Sequence, residues 1–287
     1  MTSDRYADVL LDVTRLVWRR WRGGLPTGVD RVCLAYLEHF GARARAVVQR
    51  RGVHLTLSKA RSDDLFDLLR RGGPKFRQQL AWFWIQALPS VGRPPSGALY
   101  LNVGHTGLDE PSLPDWTAGS RLTPVYLIHD LIPITHPQFC RAGEERKHLE
   151  RMRNVLVSAS GIIANSRATA NEMSALARQL GMPMPPCVVA WLSGDILKRT
   201  VVPETADRSY FLVLGTIEGR KNHRLLLEVW RRLVTRLGDG APKLVIVGSR
   251  GWRAEEVFRQ LDCLGPLEGH VEELSRCSDE DLTGLMA

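Results

Sequence analysis

The segment YFLVLGTIEGRKNHRLLLEVWRRL, residues 210–233, spells out one complete turn of an α/β fold. A two-sided apolar run of strand length ends at Gly215 and Thr216. After it, Leu226, Val229, Trp230 and Leu233, continued by Leu237, recur at spacings of three and four. That change of period reads as strand, small turn and helix, with Asn222 predicted as the helix N-cap. Arg220 and Lys221 stand just before the helix, where each cation opposes the helix dipole by a few tenths to about 1 kcal/mol. A bound anion resolves the conflict, and a diphosphate at the carboxyl end of the strand is the anion this pattern suits. Two solvated loop cations are the alternative.

Further strand-length apolar runs lie at 9–13 (VLLDV), 98–103 (ALYLNV), 124–129 (PVYLIH), 161–166 (GIIANS), 187–192 (CVVAWL) and 243–248 (KLVIVG), with HVEELS near 270 as a weaker candidate. Between them lie amphipathic patterns such as Val29, Val32, Cys33, Tyr36, Leu37 and Phe40. Strands alternating with helices predict α/β architecture with parallel sheets wound by right-handed crossovers. The polar stretch 198–209, with Pro203, is the expected linker between a domain over 1–200 and a shorter one over 208–287. Ser278 reads as the N-cap of a last helix of about two turns.

With 44% apolar residues the chain can bury a full core. No stretch reaches the roughly 20 apolar residues of a membrane-spanning helix, and the polar N-terminus is unlike a signal peptide. The five cysteines, Cys33, Cys140, Cys187, Cys263 and Cys277, form no CxxC pair and suggest neither a disulfide framework nor a zinc site. A reducing cytoplasm is the expected compartment. The formal charge of +8 is carried by residues 1–80, which hold 16 Lys and Arg against 8 Asp and Glu. Such a segment can meet phosphates, an anionic membrane surface or nucleic acid, or simply be well solvated.

Three other places carry candidate chemistry. The first strand leads to GGLPTGVDRV at 23–32, a glycine-rich turn that lets a ligand approach the backbone, though it is neither GxGxxG nor a Walker loop. His129 and Asp130 close the run PVYLIH, where polar groups at a strand's carboxyl end can face a ligand; a histidine satisfied within the core is the bland reading. No GxSxG elbow supports a hydrolase triad. Trp82, Phe83 and Trp84, with Lys75 and Arg77 nearby, and RLVWRRWRGG at 15–24 combine aromatic and basic residues. Core packing is the plainer reading for them, and peripheral contact with a membrane-borne partner is the other.

Four stretches, YFLVLGTIEGRKNHRLLLEVWRRL, HDLIPITHP, LPTGVDRVCLAYL and IIANSRATANEM, resemble the bacterial group-1 glycosyltransferases, glycosyltransferase family 4, of the GT-B fold. The resemblance runs along most of the chain and is most specific at 210–233. It implies two Rossmann-like domains, the second incomplete here, and metal-independent, retaining transfer from a nucleotide-sugar donor to a glycan or lipid-linked acceptor of surface polysaccharide, with no cofactor. Carried over, Arg220 and Lys221, with the turn at Gly215 and Thr216, match the donor diphosphate site. Thr27 and Gly28 match the loop that approaches donor and acceptor. His129 matches the histidine near the transferred sugar, with Asp130 expected to orient it, and Asn165 and Ser166 match a polar turn at the cleft.

Two departures stand out. Gly219 replaces the family's usual proline, an exchange expected to loosen the loop. The family's acidic motif, which binds donor ribose and sugar, is expected beyond Ala287; Glu272 and Glu280 repeat its spacing by chance. A truncated, catalytically inactive relative that binds only acceptor or partner is therefore the rival reading. Binding of nucleic acid has only the charge in its favour, without a recognisable motif, and is not expected.

Overall fold

The computed structural model of the chain describes residues 8–24, 26–87, 91–193 and 210–286. They form two compact units, Met1–Ile134 with Arg146–Leu192, and Thr135–Glu145 with Ser193–Ala287. The linker expected at 198–209 lies outside the described residues. Thr135–Glu145, which the sequence reading left with the first domain, groups with the second unit.

The first unit is built on β1 (Val9–Asp12), β2 (Ala44–Arg50), β3 (Val53–Thr56), β4 (Leu99–Asn102), β5 (Thr123–Ile128), β6 (Gly161–Ala164) and β7 (Cys187–Val189). They lie in the order β3-β2-β1-β4-β5-β6-β7. All neighbours are parallel except the β2–β3 hairpin at one edge. The strands alternate between two cores, as a sheet covered on both faces requires. Val9 and Leu11 of β1 join one cluster with Ala44, Ala46 and Val48, while Leu10 and Val47 join the other with Tyr100 and Tyr126. Each such fully buried aliphatic side chain stabilises the unit by about 1.5–3 kcal/mol.

Among the helices, α1 (Thr14–Trp21), α2 (Gly28–Phe40), α3 (Lys59–Arg71) and α4 (Phe76–Ala87) supply the first core. The remaining ones are α5 (Leu113–Gly119), the short α6 (Ile132–Thr135), α7 (Glu144–Ser158) and α8 (Arg167–Gln179). Here α1 intervenes between β1 and the glycine-rich turn, so the first strand does not lead directly into that turn as the sequence suggested. Residues Leu16 and Val17 are buried against the core, which is what folds this arginine-rich segment into a helix.

The second unit holds β8 (Tyr210–Leu214), β9 (Lys243–Val247) and β10 (Val271–Leu274), all parallel, in the order β10-β9-β8. Three helices belong to it, α9 (His223–Leu237), α10 (Glu255–Asp262) and α11 (Asp279–Met286). Leu227 and Trp230 of α9 pack with Leu244, Ile246, Val257 and Leu261. Ser278 caps α11 as expected, its Oγ accepting from the Asp281 N–H at 3.0 Å. Among the described residues no helix is long and apolar enough to cross a membrane. The α/β class and the pair of Rossmann-like sheets expected of the GT-B type are therefore observed.

Candidate functional site

The order of strands in the first unit reverses between β1 and β4, the place where ligands settle at the carboxyl ends of an α/β sheet. Asp12 ends β1 there and is buried. Its Oδ1 accepts from the Thr14 N–H at 2.9 Å, and its Oδ2 accepts from the Tyr100 hydroxyl at 2.7 Å and from the Gln49 amide. Burial nonetheless pushes its pKa up, against those hydrogen bonds. Gln49 Oε1 is buried without a partner, and a Cβ on Gly107 would collide with the Gln49 amide.

Thr27 and Gly28 open α2 beside this place. Thr27 is the N-cap of a capping box in which Asp30 Oδ2 accepts from the Thr27 N–H at 2.7 Å and from its hydroxyl at 2.6 Å. The buried Asp30 also takes Arg15 at 2.7 Å and Arg19 at 3.3 Å. Arg15 in turn donates to the Gly104 carbonyl at 3.4 Å. The turn carrying Thr27 is thereby tied to the segment after β4.

His129 and Asp130 follow β5. The His129 Nε2–H donates to the Val103 carbonyl at 2.9 Å, which leaves the lone pair of the neutral ring on Nδ1. Asp130, expected to orient that ring, accepts at Oδ1 from the Ile132 N–H at 3.2 Å, and no hydrogen bond between it and the ring is found among the described residues. Its charge still favours the imidazolium, but burial of the ring prevails and holds the His129 pKa below its usual value. His105 lies 5.0 Å away, ring to ring, and His148 lies 5.8 Å from His105. Desolvation, then the neighbouring His129, His148 and Arg151, keep the His105 pKa well below the ordinary imidazole range. Thr169 Oγ1 donates to the His129 carbonyl at 3.2 Å and lies 3.0 Å from Asn165 Oδ1. Ser166 caps α8, accepting from the Thr169 N–H at 3.1 Å. The first unit therefore gathers His129, Asp130, Asn165 and Ser166 at the ends of β5 and β6, and Thr27 and Gly28 beside the ends of β1 and β4.

In the second unit, Gly215 follows β8 with φ +141° and Gly248 follows β9 with φ +159°. A Cβ on Gly248 would run into the Gly215 carbonyl oxygen, so the two strand ends meet backbone to backbone. Ile217 N–H donates to the Ser249 carbonyl at 3.0 Å and Gly251 N–H to the Ile217 carbonyl at 2.9 Å, extending the pairing past the sheet. Gly219–Lys221 then form one 3-10 turn before α9. Asn222 stands at the N-cap as expected, but with φ 53° and without a side-chain capping bond, because the preceding turn puts it in the left-handed region.

The two cations differ in their surroundings. Arg220 Nη2 pairs with Glu218 Oε1 at 2.6 Å, and Glu218 is only 3% exposed. The Lys221 side chain folds over Gly215, its Nζ 3.4 Å from where a Cβ would stand, and has no carboxylate partner among the described residues. Gly219 is not loose: its N–H donates to the Trp252 carbonyl at 3.2 Å, and a Cβ there would lie 2.6 Å from the Arg253 carbonyl oxygen. Beside this loop an open cavity of about 470 Å³ is lined by Ser249, Arg250, Glu273, Ser275 and Arg276. Arg250 is held there by both oxygens of Glu273, at 2.9 and 2.7 Å.

Sequence reasoning missed Asp12, Gln49, Arg15, Asp30, His105 and His148, and also Asn102, which ends β4 and accepts at Oδ1 from the Gly104 N–H at 3.2 Å. Asp12 and Asn102 carried the same signal as His129, a polar residue closing an apolar strand.

No protein-family model matches the chain. Over 173 residues it is 30% identical to O-antigen chain mannosyltransferase B of Escherichia coli, an alignment covering 57% of this chain and 44% of that protein. The chain thus spans less than half the length of that relative. Among solved structures it superposes on Anabaena HepE, crystallised in complex with UDP, with a TM-score of 0.58 and 17% identity, over 97% of this chain and 71% of HepE. The chain shares the fold of HepE. TarM also aligns, with a TM-score of 0.45 and 16% identity over 64% of this chain and 34% of TarM.

Proposed function

We propose that the chain belongs to a glycosyltransferase of surface polysaccharide synthesis, of the family-4 kind. It would transfer a sugar with retention from a nucleotide-sugar donor to a glycan carried on a lipid. The observation that carries this reading is the loop from Gly215 to Asn222. A parallel strand leads into a glycine, an uncompensated lysine lies over that glycine, and a helix begins after the loop. Those features suit a diphosphate. The likeness to a mannosyltransferase and to a protein crystallised with UDP agrees with it.

In the transfer, the bond from the anomeric carbon to the diphosphate oxygen breaks and one to an acceptor hydroxyl oxygen forms. The electron pair leaves on the nucleoside diphosphate, which also takes up the hydroxyl proton. Lys221 and Arg220 would stabilise the growing phosphate charge without a metal, and His129 would accept a sugar hydroxyl at its free Nδ1. The reading is tested by calorimetric titration of the chain with UDP-, GDP- and ADP-linked sugars, beside the double variant Arg220→Ala/Lys221→Ala. Binding of one nucleotide class that the double variant abolishes is the expected result. A folded chain that binds none of them overturns the reading in favour of a relative that binds only acceptor or partner.

A further inference from the structure

In the first unit, α1, β2, β3 and α4 enclose an apolar groove of about 410 Å³. Trp18 and Trp21 of α1 and Leu80 and Trp84 of α4 line it. The outer side of α4 adds Trp82 and Ile85, which are 63% and 66% exposed. Of the aromatic trio in this helix only Phe83 is buried, so the composition is not explained by core packing alone.

Cations predominate in the segments that carry the groove's helices, although Glu38 and Asp67 take Arg70, and Asp64 takes Arg61 beside Gln86 of α4. The stretch 13–29 contains Arg15, Arg19, Arg20 and Arg22 and no acidic residue, and the stretch 68–108 contains Arg70, Arg71, Lys75, Arg77 and Arg93 and no acidic residue. Arg15 and Arg19 are occupied by Asp30. The Arg50 guanidinium lies 5.1 Å from the Trp18 ring centroid and that of Arg77 lies 6.0 Å from Trp21. Neither Arg50 nor Arg77 has a carboxylate partner among the described residues. Arg77 Nε–H also donates to the Trp21 carbonyl at 2.6 Å. Surface indoles with guanidinium groups that lack carboxylate partners are the chemistry of a surface that rests in a lipid headgroup region, rings at the acyl boundary and cations among the phosphates.

We propose that this face, centred on α4 and the mouth of the groove, docks on an anionic phospholipid bilayer. The contact is interfacial and stands apart from the nucleotide reading, because it uses no residue of the loop 215–222. Co-sedimentation with vesicles of phosphatidylcholine alone, or of equimolar phosphatidylcholine and phosphatidylglycerol, tests it. Expected is binding to the anionic vesicles that weakens about tenfold or more without the acidic lipid and falls further with added salt. The variant Trp82→Gln/Ile85→Gln alters only exposed side chains and should keep the native circular dichroism while losing about tenfold in vesicle affinity. Arg50→Gln/Arg77→Gln should lose about as much, and only on anionic vesicles. Arg220→Ala/Lys221→Ala should bind vesicles as the parent does, which separates failure of this inference from failure of the nucleotide reading. Equal binding to neutral vesicles, absence of binding at low salt, or unchanged binding by the two groove-face variants would each overturn it. In the last case the face would be one for a protein partner.

Discussion

Arg220 and Lys221 are adjacent but not equivalent. Because Glu218 neutralises much of Arg220, the charge available to a ligand rests mainly on Lys221. Lys221→Ala should weaken nucleotide binding about tenfold, some 1.4 kcal/mol, while leaving the melting temperature of the unliganded protein unchanged. Arg220→Ala should lower that temperature as well, since it strands the Glu218 carboxylate; about 1 kcal/mol is expected for a guanidinium that is 37% exposed. Differential scanning calorimetry without nucleotide separates the two. His105 supplies a pH test. Its depressed pKa keeps it neutral in the folded state, so its contribution is whole above the unfolded value near 6.5 and is lost as pH falls from there toward the folded value. Stability should decline below pH 6.5 by up to about 1.4 kcal/mol per unit from this residue, and His105→Asn should flatten the profile. Asp12 titrates in both proteins, so the difference between the two denaturation curves belongs to His105. At this scale His129 was legible as a candidate because it closes an apolar run. His105 and the Arg15–Asp30 pair were illegible because their partners come from other strands and helices.

At the scale of elements, seven apolar runs were legible as strands: β1, β4, β5, β6 and β9 because strands buried on both faces need unbroken apolar sequence, and the edge strands β7 and β8 by their apolar composition alone, since Val188 and Phe211 are exposed. The strand ARAVVQR escaped notice: Arg45 interrupts it, and its guanidinium leaves the strand to donate to the Leu57 carbonyl at 2.8 Å. The hairpin partner β3 is an edge strand with an exposed Val53, so it lacks the two-sided signature too. The loop 215–222 was legible as a strand-to-helix turn, yet its firmness was not, because the contacts that fix Gly219 come from Trp252 and Arg253. Proline in place of Gly219 would remove the N–H that bonds Trp252, and any Cβ would press on a backbone oxygen that cannot swing aside. Gly219→Ala is therefore expected to destabilise the protein by about 1–3 kcal/mol and to weaken nucleotide binding more than Lys221→Ala does. A variant with unchanged melting and unchanged affinity would show that the loop yields at no cost.

Each unit carries its own hydrophobic clusters, and the proposed donor and sugar sites fall in different units. The loop 215–222 belongs to the second unit, whereas His105, His129 and the capping box at Thr27 belong to the first. A nucleotide without its sugar should therefore stabilise the second unit alone. At about ten times its dissociation constant it contributes about 1.4 kcal/mol, which for a unit of roughly 60–100 residues raises the midpoint by about 5–10 °C. Calorimetric scans should resolve one transition that rises with nucleotide and another that does not. The pH dependence assigns them independently: the transition that His105→Asn makes less sensitive to acid is that of the first unit, and it should be the one the nucleotide leaves in place. A nucleotide that raised this transition equally would place part of its binding surface on the first unit.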